Sequence, residues 1–219
     1  MRAHRGCSKG LVALAALLAL PGAWAASPGD EESFQFRKGT RWKYTGTSDG
    51  TKTTLLQEVF KISQGDLFTK GEPATIYHLL MKTQSDEPGG AAASLSTKTY
   101  LGVEGGYLVT GTLGGVPVRL YKLGSRKGDT WECTDSRLKS DPDRVFTHLG
   151  VVTVAVPAGT FTNARHVQVE ILANGGRHTG DFYIVPGVGI VKSEAVVESN
   201  GVRKSVLVEL DRFEPPGEF

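Results

Sequence analysis

The sequence predicts an all-β protein, built as a single curved antiparallel meander sheet or half-barrel of about eleven hairpin-connected strands. Two observations lead to this fold class. Short runs of alternating apolar and polar residues are separated by glycine-rich turns, at the spacing typical of a sandwich, barrel or curved meander. Two Asn-Gly dipeptides, Asn174-Gly175 and Asn200-Gly201, lie between such runs and tolerate the positive φ angles of a type I′ hairpin turn. The pattern leaves open whether the sheet is a half-barrel, a closed barrel or a sandwich.

The chain starts with a pattern typical of a secretory signal peptide. A basic start precedes the apolar run Leu11–Leu20, and small residues up to Ala25 match the positions that a signal peptidase reads. The apolar run is too short to span a bilayer, which needs about 20 residues. We therefore expect cleavage after Ala25, export to the periplasm or the extracellular space, and no transmembrane segment after processing.

After the signal peptide, residues 26–219 form one predicted β-rich domain, in which we expect the polar lead 26–33 to be disordered. The whole chain has 25 Lys and Arg against 23 Asp and Glu, and the signal peptide removes three basic residues and no acidic one. The mature chain is thus nearly neutral, without a basic patch. This composition argues against nucleic acid or an anionic membrane surface as a partner.

The first predicted strand starts in Gly39-Thr-Arg-Trp42-Lys-Tyr44, and a similar motif occurs at Gly128-Asp-Thr-Trp131. Each glycine permits a turn, and each tryptophan follows as the first large core residue of the next strand. Core packing is the main interpretation of these aromatic residues. A ligand-stacking role is the alternative, and it makes Trp42, Tyr44 and Trp131 the candidate ligand-binding residues.

The secondary structure of two stretches between these motifs is assigned from their residues. Thr54–Ile62 fits a short helix as well as a strand, and its neighbouring turn residues favour the strand. Ser85–Ser94 is rich in glycine and alanine and predicts an exposed loop.

Cys133 is the only cysteine left after processing, so no internal disulfide is expected. Its place within a predicted strand favours burial.

The first Asn-Gly turn predicts a specific hairpin register. It places Val167 opposite Phe182 and Ile171 opposite His178, so that one face is mostly apolar and the other polar. Slipping the register by one residue would set Ile171 against Thr179 and mix the two faces. The second turn likewise predicts matched pairs on its polar face, Lys192 with Glu209 and Glu198 with Arg203.

The histidines are the natural candidates for metal or acid–base chemistry, but the predicted register separates them. His166 and His178 point to opposite faces, about 17 Å apart along the strand, too far to share a metal ion. His78 and His148 are each read as structural. Asp135, Asp141 and Asp143 lack the spacing and the closing glutamate of a calcium loop, so an ordinary turn is the preferred interpretation.

Known catalytic signatures are absent from the sequence. It contains no Gly-x-Ser-x-Gly elbow, no His-Glu-x-x-His helix and no Cys-x-x-Cys pair, and Gly111–Gly115 lacks the ending of a phosphate-binding loop. We therefore predict no catalytic residue, no metal and no cofactor, while a hydrolase with an unrecognised site stays open because unrelated folds converge on the same chemistry.

Four motifs resemble those of a broad family of uncharacterised bacterial exported β-rich proteins. They are Gly39–Tyr44, Gly128–Trp131, Val156–Phe161 and Tyr183–Lys192, with the patterns G-x-x-W, VPAGTF and PGVGIVK. The resemblance implies a curved sheet like the half-barrel of periplasmic lipoprotein carriers, by analogy of fold, and no activity.

The last two motifs also have a structural interpretation from their residues. Proline ends a strand ladder, glycine permits a bend, and an aromatic residue beyond the bend can return to the core. The structural motif residues are Val156, Pro157, Gly159, Phe161, Pro186, Gly187 and Gly189.

Together these features predict an exported, non-catalytic β domain that binds an apolar or envelope-derived ligand, such as a lipid, or a protein partner. Two alternatives remain. One is a structural or assembly component of the cell envelope, and the other is the hydrolase named above.

Overall fold

The structure, a computed structural model, describes residues 34–67, 71, 73–85, 94–112, 115, 117–133, 143–173, 176–199 and 202–216. The predicted signal peptide and the polar lead lie outside the described residues. Within the described part of the chain, no helix is long and apolar enough to cross a membrane. The described strands are β1 (Arg41–Ser48), β2 (Thr51–Gly65), β3 (Ala74–Ser85), β4 (Ser94–Glu104), β5 (Tyr107–Thr112), β6 (Val118–Lys122), β7 (Thr130–Glu132), β8 (Asp143–Val156), β9 (Gly159–Ala173), β10 (Gly176–Val185), β11 (Gly189–Ser199) and β12 (Val202–Glu214).

All of these strands belong to one antiparallel sheet in the order β6-β5-β4-β3-β2-β1-β12-β11-β10-β9-β8-β7. Neighbours along the chain are neighbours in the sheet, and β1 pairs in addition with β12. The exception is the step from β6 to β7, which are the two edges of the sheet. We call the junction between these edges the seam. The sheet is therefore a nearly closed barrel, which confirms the predicted all-β, hairpin-connected meander.

The predicted hairpin registers are confirmed. Val167 pairs with Phe182 and Ile171 with His178 in the β9–β10 hairpin. In the β11–β12 hairpin, Lys192 pairs with Glu209 and Glu198 with Arg203. The Asn-Gly turns themselves lie outside the described residues. The ambiguous stretch after Thr54 is part of the long strand β2, because its alternating buried positions continue the inner face of the barrel.

Two tight turns join strands at the end of the barrel where β1 begins. Pro157 and Ala158 connect β8 to β9, where Gly159 has a φ of 138° and the Ala158 amide donates to the Leu210 carbonyl at 3.0 Å. Phe161 lies beyond this turn and packs against the core, half-buried. The turn therefore ties the β8–β9 hairpin to β12 across the sheet.

The second tight turn connects β10 to β11. Gly187 and Gly189 have φ angles of 90° and 94°, a region that favours glycine, and the Val188 amide donates to the Val185 carbonyl at 2.9 Å. Pro186 opens the turn, where its missing N–H is not needed. The side chain of Val188 packs against the core.

The inner face of the barrel changes composition from one end to the other. Around the start of β1, large buried side chains fill the interior and touch one another, with ring centroids 4.5 Å apart for Phe36 and Tyr77 and 5.5 Å for Phe36 and Trp42. We call this the aromatic end: Phe34, Phe36, Trp42, Tyr44 and Tyr77. Toward the β1–β2 connection, the end of β3 and the start of β4, short hydroxyl side chains take inner positions beside Leu55 and Leu95. We call this the hydroxyl end: Ser48, Thr51, Thr53, Thr83 and Thr97.

Candidate functional site

The hydroxyl end is the part of the inner face where short polar side chains are accessible to solvent. Ser48 pairs directly with Thr51, and both side chains point to the inner face at the β1–β2 turn. Thr53, Thr83 and Thr97 are half-buried, so solvent reaches this part of the inner face. A threonine presents a methyl group beside its hydroxyl, which gives the wall both apolar and hydrogen-bonding character.

Two more hydroxyls lie deeper on the same inner face. Ser193 and Thr99 are fully buried, at 0% exposure, and Ser48 is 9% exposed. Within the described residues, the hydroxyl oxygen of each of these three side chains has no hydrogen-bond partner. A buried hydroxyl without a partner costs about 1–3 kcal/mol, so native proteins rarely keep one without a reason such as a bound molecule.

The wall beside Ser48 projects little side-chain volume into the interior. The row of directly paired residues that starts at Ser48 crosses Val206 on β12, Ala195 on β11 and Gly180 on β10. A Cβ atom at Gly180 would lie 3.3 Å from Val169 Cγ1, so a larger residue there would be tightly packed. Beyond Gly180 the row continues to Val169, Phe146 and Trp131, so the small side chains occupy the part of the row next to Ser48.

A buried imidazole adds a hydrogen-bonding group to the same inner face. His148 is 3% exposed, and its Nδ1 lies 3.0 Å from the Ser125 carbonyl oxygen. Nδ1 also lies 3.0 Å from the Ser125 hydroxyl, so it can donate to the carbonyl or accept from the hydroxyl, and Nε2 is an acceptor in the first tautomer and a donor in the second. Nε2 is buried, and no donor among the described residues reaches it. The Tyr121 ring packs edge-on against the imidazole, at 5.8 Å between centroids.

Two further polar residues flank this region on β8 and β10. By register, Arg144 and His178 both lie next to Ile171 on the inner face, one on each side of β9. Arg144 is buried, whereas His178 is half-buried and its Nδ1 has no partner in the described part of the chain. The interior thus offers hydroxyls and imidazoles on one wall, with a guanidinium close by.

The candidate ligand-binding residues of the sequence analysis are buried, and the fold uses their polar atoms. Trp42 and Tyr44 are each 1% exposed, and Trp131 is 6% exposed. The Trp42 indole donates to the Val188 carbonyl at 3.1 Å, and the Tyr44 hydroxyl donates to the Ile190 carbonyl at 3.2 Å. Burial raises the pKa of the Tyr44 phenol far above its ordinary value. All three residues pack in the core, and a ligand-stacking role for them stays a prediction.

The remaining histidines lie apart. His166 is on the outer face, where its Nε2 lies 2.7 Å from Asp181 and its ring stacks on Tyr183 with centroids 4.6 Å apart. His78 lies 2.8 Å from the Ser63 hydroxyl, and partial burial, followed by the charge of Lys61, lowers its pKa. Among the described residues, no group of three metal-ligating side chains occurs. Asp135 and Asp141 of the calcium alternative lie outside the described residues.

The outer face of the barrel carries two shallow grooves of opposite charge. A groove of about 400 Å³ is lined mainly by cations and leucines, among them Lys43, Lys82 and Leu56. A groove of about 550 Å³ has Asp181 and Glu194 in its lining. Most of these charges are already paired, for example Lys43 with Asp211 and Lys192 with Glu194. Exposed pairs of this kind explain the charges as ordinary outer-face chemistry.

The sequence analysis did not single out the buried hydroxyls. A signal was present in the run Thr45–Thr54, where both alternating sets of residues are small or polar, so neither supplies the apolar face that a strand usually turns to the core. Ser193 carried no such signal, because it is a single polar residue in an otherwise apolar set, and Thr99 shares its alternating set with Thr97 between Leu95 and Leu101. Only the register reveals that they lie on the inner face.

No protein-family model matches the chain, and no curated protein matches it. Two solved structures are similar to it. One is a protein of Bacteroides fragilis NCTC 9343 described as an exported protein with a YmcC-like fold; it is 16% identical, with a TM-score of 0.50, over 83% of this chain and 98% of that chain. The other is a protein of Parabacteroides distasonis ATCC 8503 described as a lipoprotein, 15% identical with a TM-score of 0.49 over the same shares. The first likeness shows a shared fold.

Proposed function

We propose that this protein is an exported, non-catalytic binding domain that receives its ligand inside the barrel at the hydroxyl end. The observation that carries the proposal is the Ser193 hydroxyl, which is fully buried, points to the inner face and has no partner among the described residues. The cost of keeping such a group is offset when a bound molecule supplies the missing hydrogen bond.

The chemistry of the wall specifies the class of ligand. Hydroxyls and an imidazole pair with a molecule that brings hydroxyl or amide groups, and the methyl groups of the threonines favour an apolar body beside them. We therefore propose a neutral amphipathic molecule, such as an envelope-derived lipid with an uncharged polar group, as the ligand.

The geometry of the polar groups supports a binding role over the hydrolase alternative. A hydrolytic serine needs a base within hydrogen-bond reach of its hydroxyl. Ser193 Oγ and His148 Nε2 both lack partners, so they are not bonded to each other, and by register three strand spacings separate them, about 14 Å along the sheet. Among the described residues Ser193 Oγ therefore has no hydrogen-bonded base, which supports a hydrogen-bonding role for it.

Export is proposed from the signal-peptide pattern, and the similar Bacteroides fragilis protein is itself described as exported. Amino-terminal sequencing of material secreted by the native host should begin at Ala26. Material that begins at Met1 would contradict the proposed export.

The ligand is tested by native mass spectrometry of the mature protein, purified gently from its host. We expect an added mass of a small amphipathic molecule on the wild-type protein and its loss in the Ser193→Val variant. Ser205→Val, the same change on the exposed outer face of β12, is the matched control and should keep the ligand. A ligand-free wild-type protein contradicts the proposal, and co-purification of a stoichiometric protein instead favours an assembly component of the envelope.

A further inference from the structure

The seam between β6 and β7 is the junction of the described barrel that has no backbone ladder. β6 has five residues and β7 three, the shortest of the described strands. Elsewhere in the ring, neighbouring strands share a backbone ladder; β1 and β12, for example, pair over eight residues each. Within the described residues the sheet ends at β6 on one side and at β7 on the other.

Side chains of the β7 segment replace the missing ladder. The Trp131 indole donates to the Arg119 carbonyl at 2.9 Å, and the Arg119 amide donates to the Cys133 sulfur at 3.2 Å. The Cys133 thiol lies 3.7 Å from the Pro117 carbonyl, a long contact for a weak donor. The two bonds to sulfur are weaker than the amide–carbonyl bonds of a ladder, although Arg119 and Cys133 take part in further interactions. A junction without a continuous backbone ladder opens locally at a lower free energy than the rest of a fold.

The seam covers the part of the inner face where His148 Nε2 lies without a hydrogen-bond partner among the described residues. Tyr121 on β6 contacts Trp131 on β7, with ring centroids 6.4 Å apart, and the same tyrosine packs on His148. Separation of β6 from β7 would therefore uncover the imidazole whose Nε2 has no partner among the described residues. A ligand that enters here would meet the inner face directly.

We infer that the seam is the lateral gate through which a ligand enters the barrel, opening by the loss of the Trp131 and Cys133 contacts to β6. The inference rests on the proposed function for the ligand, but opening of the seam can be measured without one. The gate consists of β6, the side chains of Trp131 and Cys133, and the aromatic contact behind them.

Opening is tested by hydrogen exchange of single amides, followed by NMR on the mature protein. The Arg119 amide should exchange at least about 100-fold faster than the Val208 amide, which lies on the inner strand β12 between two partner strands. Trp131→Phe keeps a ring but removes the indole donor, so it should speed exchange at Arg119 by about 5-fold, the equivalent of one hydrogen bond. Equal protection of Arg119 and Val208 would show that the seam does not open and would overturn the inference.

Passage through the gate is tested with a disulfide lock. The Cys133 sulfur touches the backbone atoms on either side of Val118, and both side chains are buried, so Val118→Cys places a second thiol beside the first. The probe is N-phenyl-1-naphthylamine, a neutral apolar dye with one N–H donor, followed by stopped-flow fluorescence. Oxidised Val118→Cys should bind the dye at least about ten times more slowly than the same protein after reduction, while reductant leaves the wild type unchanged.

The hydrogen-exchange and dye-binding experiments distinguish a failure of the gate from a failure of the proposed ligand. Equal association rates for the oxidised and reduced variant would overturn the seam as the route. Absence of dye binding to the wild type, together with fast exchange at Arg119, would contradict the proposed amphipathic ligand and leave the opening of the seam supported. If the disulfide does not form, the effect of Trp131→Phe on the rate of dye binding decides, with faster binding expected and an unchanged rate counting against the gate.

Discussion

At the aromatic end of the barrel, the Trp42 indole and the Tyr44 hydroxyl are buried and donate to backbone carbonyls. At the hydroxyl end, the Ser48 hydroxyl is buried without a partner among the described residues. Both ends belong to the same sheet, and β1 contributes to each. The difference separates two uses of a buried polar group. Where the fold supplies the partner, the group stabilises the fold, and where it does not, the proposed function assigns the group to a bound molecule.

The largest expected effect comes from truncating the aromatic end. Trp42→Ala removes a ring that contacts Phe36 and Phe213 and leaves a cavity, so we expect a loss of about 3–5 kcal/mol in the free energy of unfolding. Thr83→Ala, at the half-buried hydroxyl end, should cost less than about 1 kcal/mol. Urea unfolding followed by circular dichroism measures both. Similar losses for the two variants would remove the distinction between the ends.

Raising the pH above 10 should lower the free energy of unfolding, and Tyr44 at the aromatic end should contribute to this loss. Burial raises the pKa of Tyr44 far above the ordinary value near 10, and burial, with Glu104 and Cys133 next, raises the pKa of Tyr100 to about 12. A tyrosine that stays protonated in the folded state contributes its full stability below pH 10 and loses it as the pH rises further. For Tyr44 the loss is about 1.4 kcal/mol per pH unit above 10.

The difference between the wild type and Tyr44→Phe isolates this contribution, because other groups titrate equally in both. Unfolding free energies measured from pH 9 to 11 should fall more steeply for the wild type. Parallel curves would mean that the Tyr44 phenol is not held in its neutral form by the fold.

The smallest expected effect is also the sharpest contrast, because deleting one hydroxyl at each end should act in opposite directions. Tyr44→Phe at pH 7 takes a donor from the Ile190 carbonyl and should destabilise the protein by about 1 kcal/mol. Ser193→Ala removes an unpartnered hydroxyl and should leave the ligand-free protein unchanged or up to about 1 kcal/mol more stable. Thermal unfolding resolves this difference, and a destabilised Ser193→Ala variant would count against the comparison.

The local parts of the fold could be predicted because turn chemistry sets the register of the strands beside it. The pairing of Val167 with Phe182 followed from an Asn-Gly dipeptide and the alternation on either side of it. The same reasoning gave the pair Lys192 and Glu209. Such predictions use residues close together in the chain, where the connection permits only a few geometries.

The long-range parts could not be predicted in the same way. The pairing of Arg41 with Glu214 joins residues 173 positions apart, and no turn residue marks it. Bulges also escape prediction; the one between Lys43 and Tyr44 shifts the pairing of β1 with β12 by one residue. The candidate site depends on these features, because Ser193 and Ser48 come to the same interior wall only when β1 and β12 pair.

The pairing of β1 with β12 has one more consequence. Around the ring, the polypeptide is interrupted between β12 and β1, while the sheet is interrupted between β6 and β7. A circular permutant that starts at β7, runs through β12, crosses a short linker into β1 and finishes at β6 would have only hairpin-like contacts between successive strands. Its lower contact order should make it fold faster than the natural chain, whose slow step would be the search of β1 for β12.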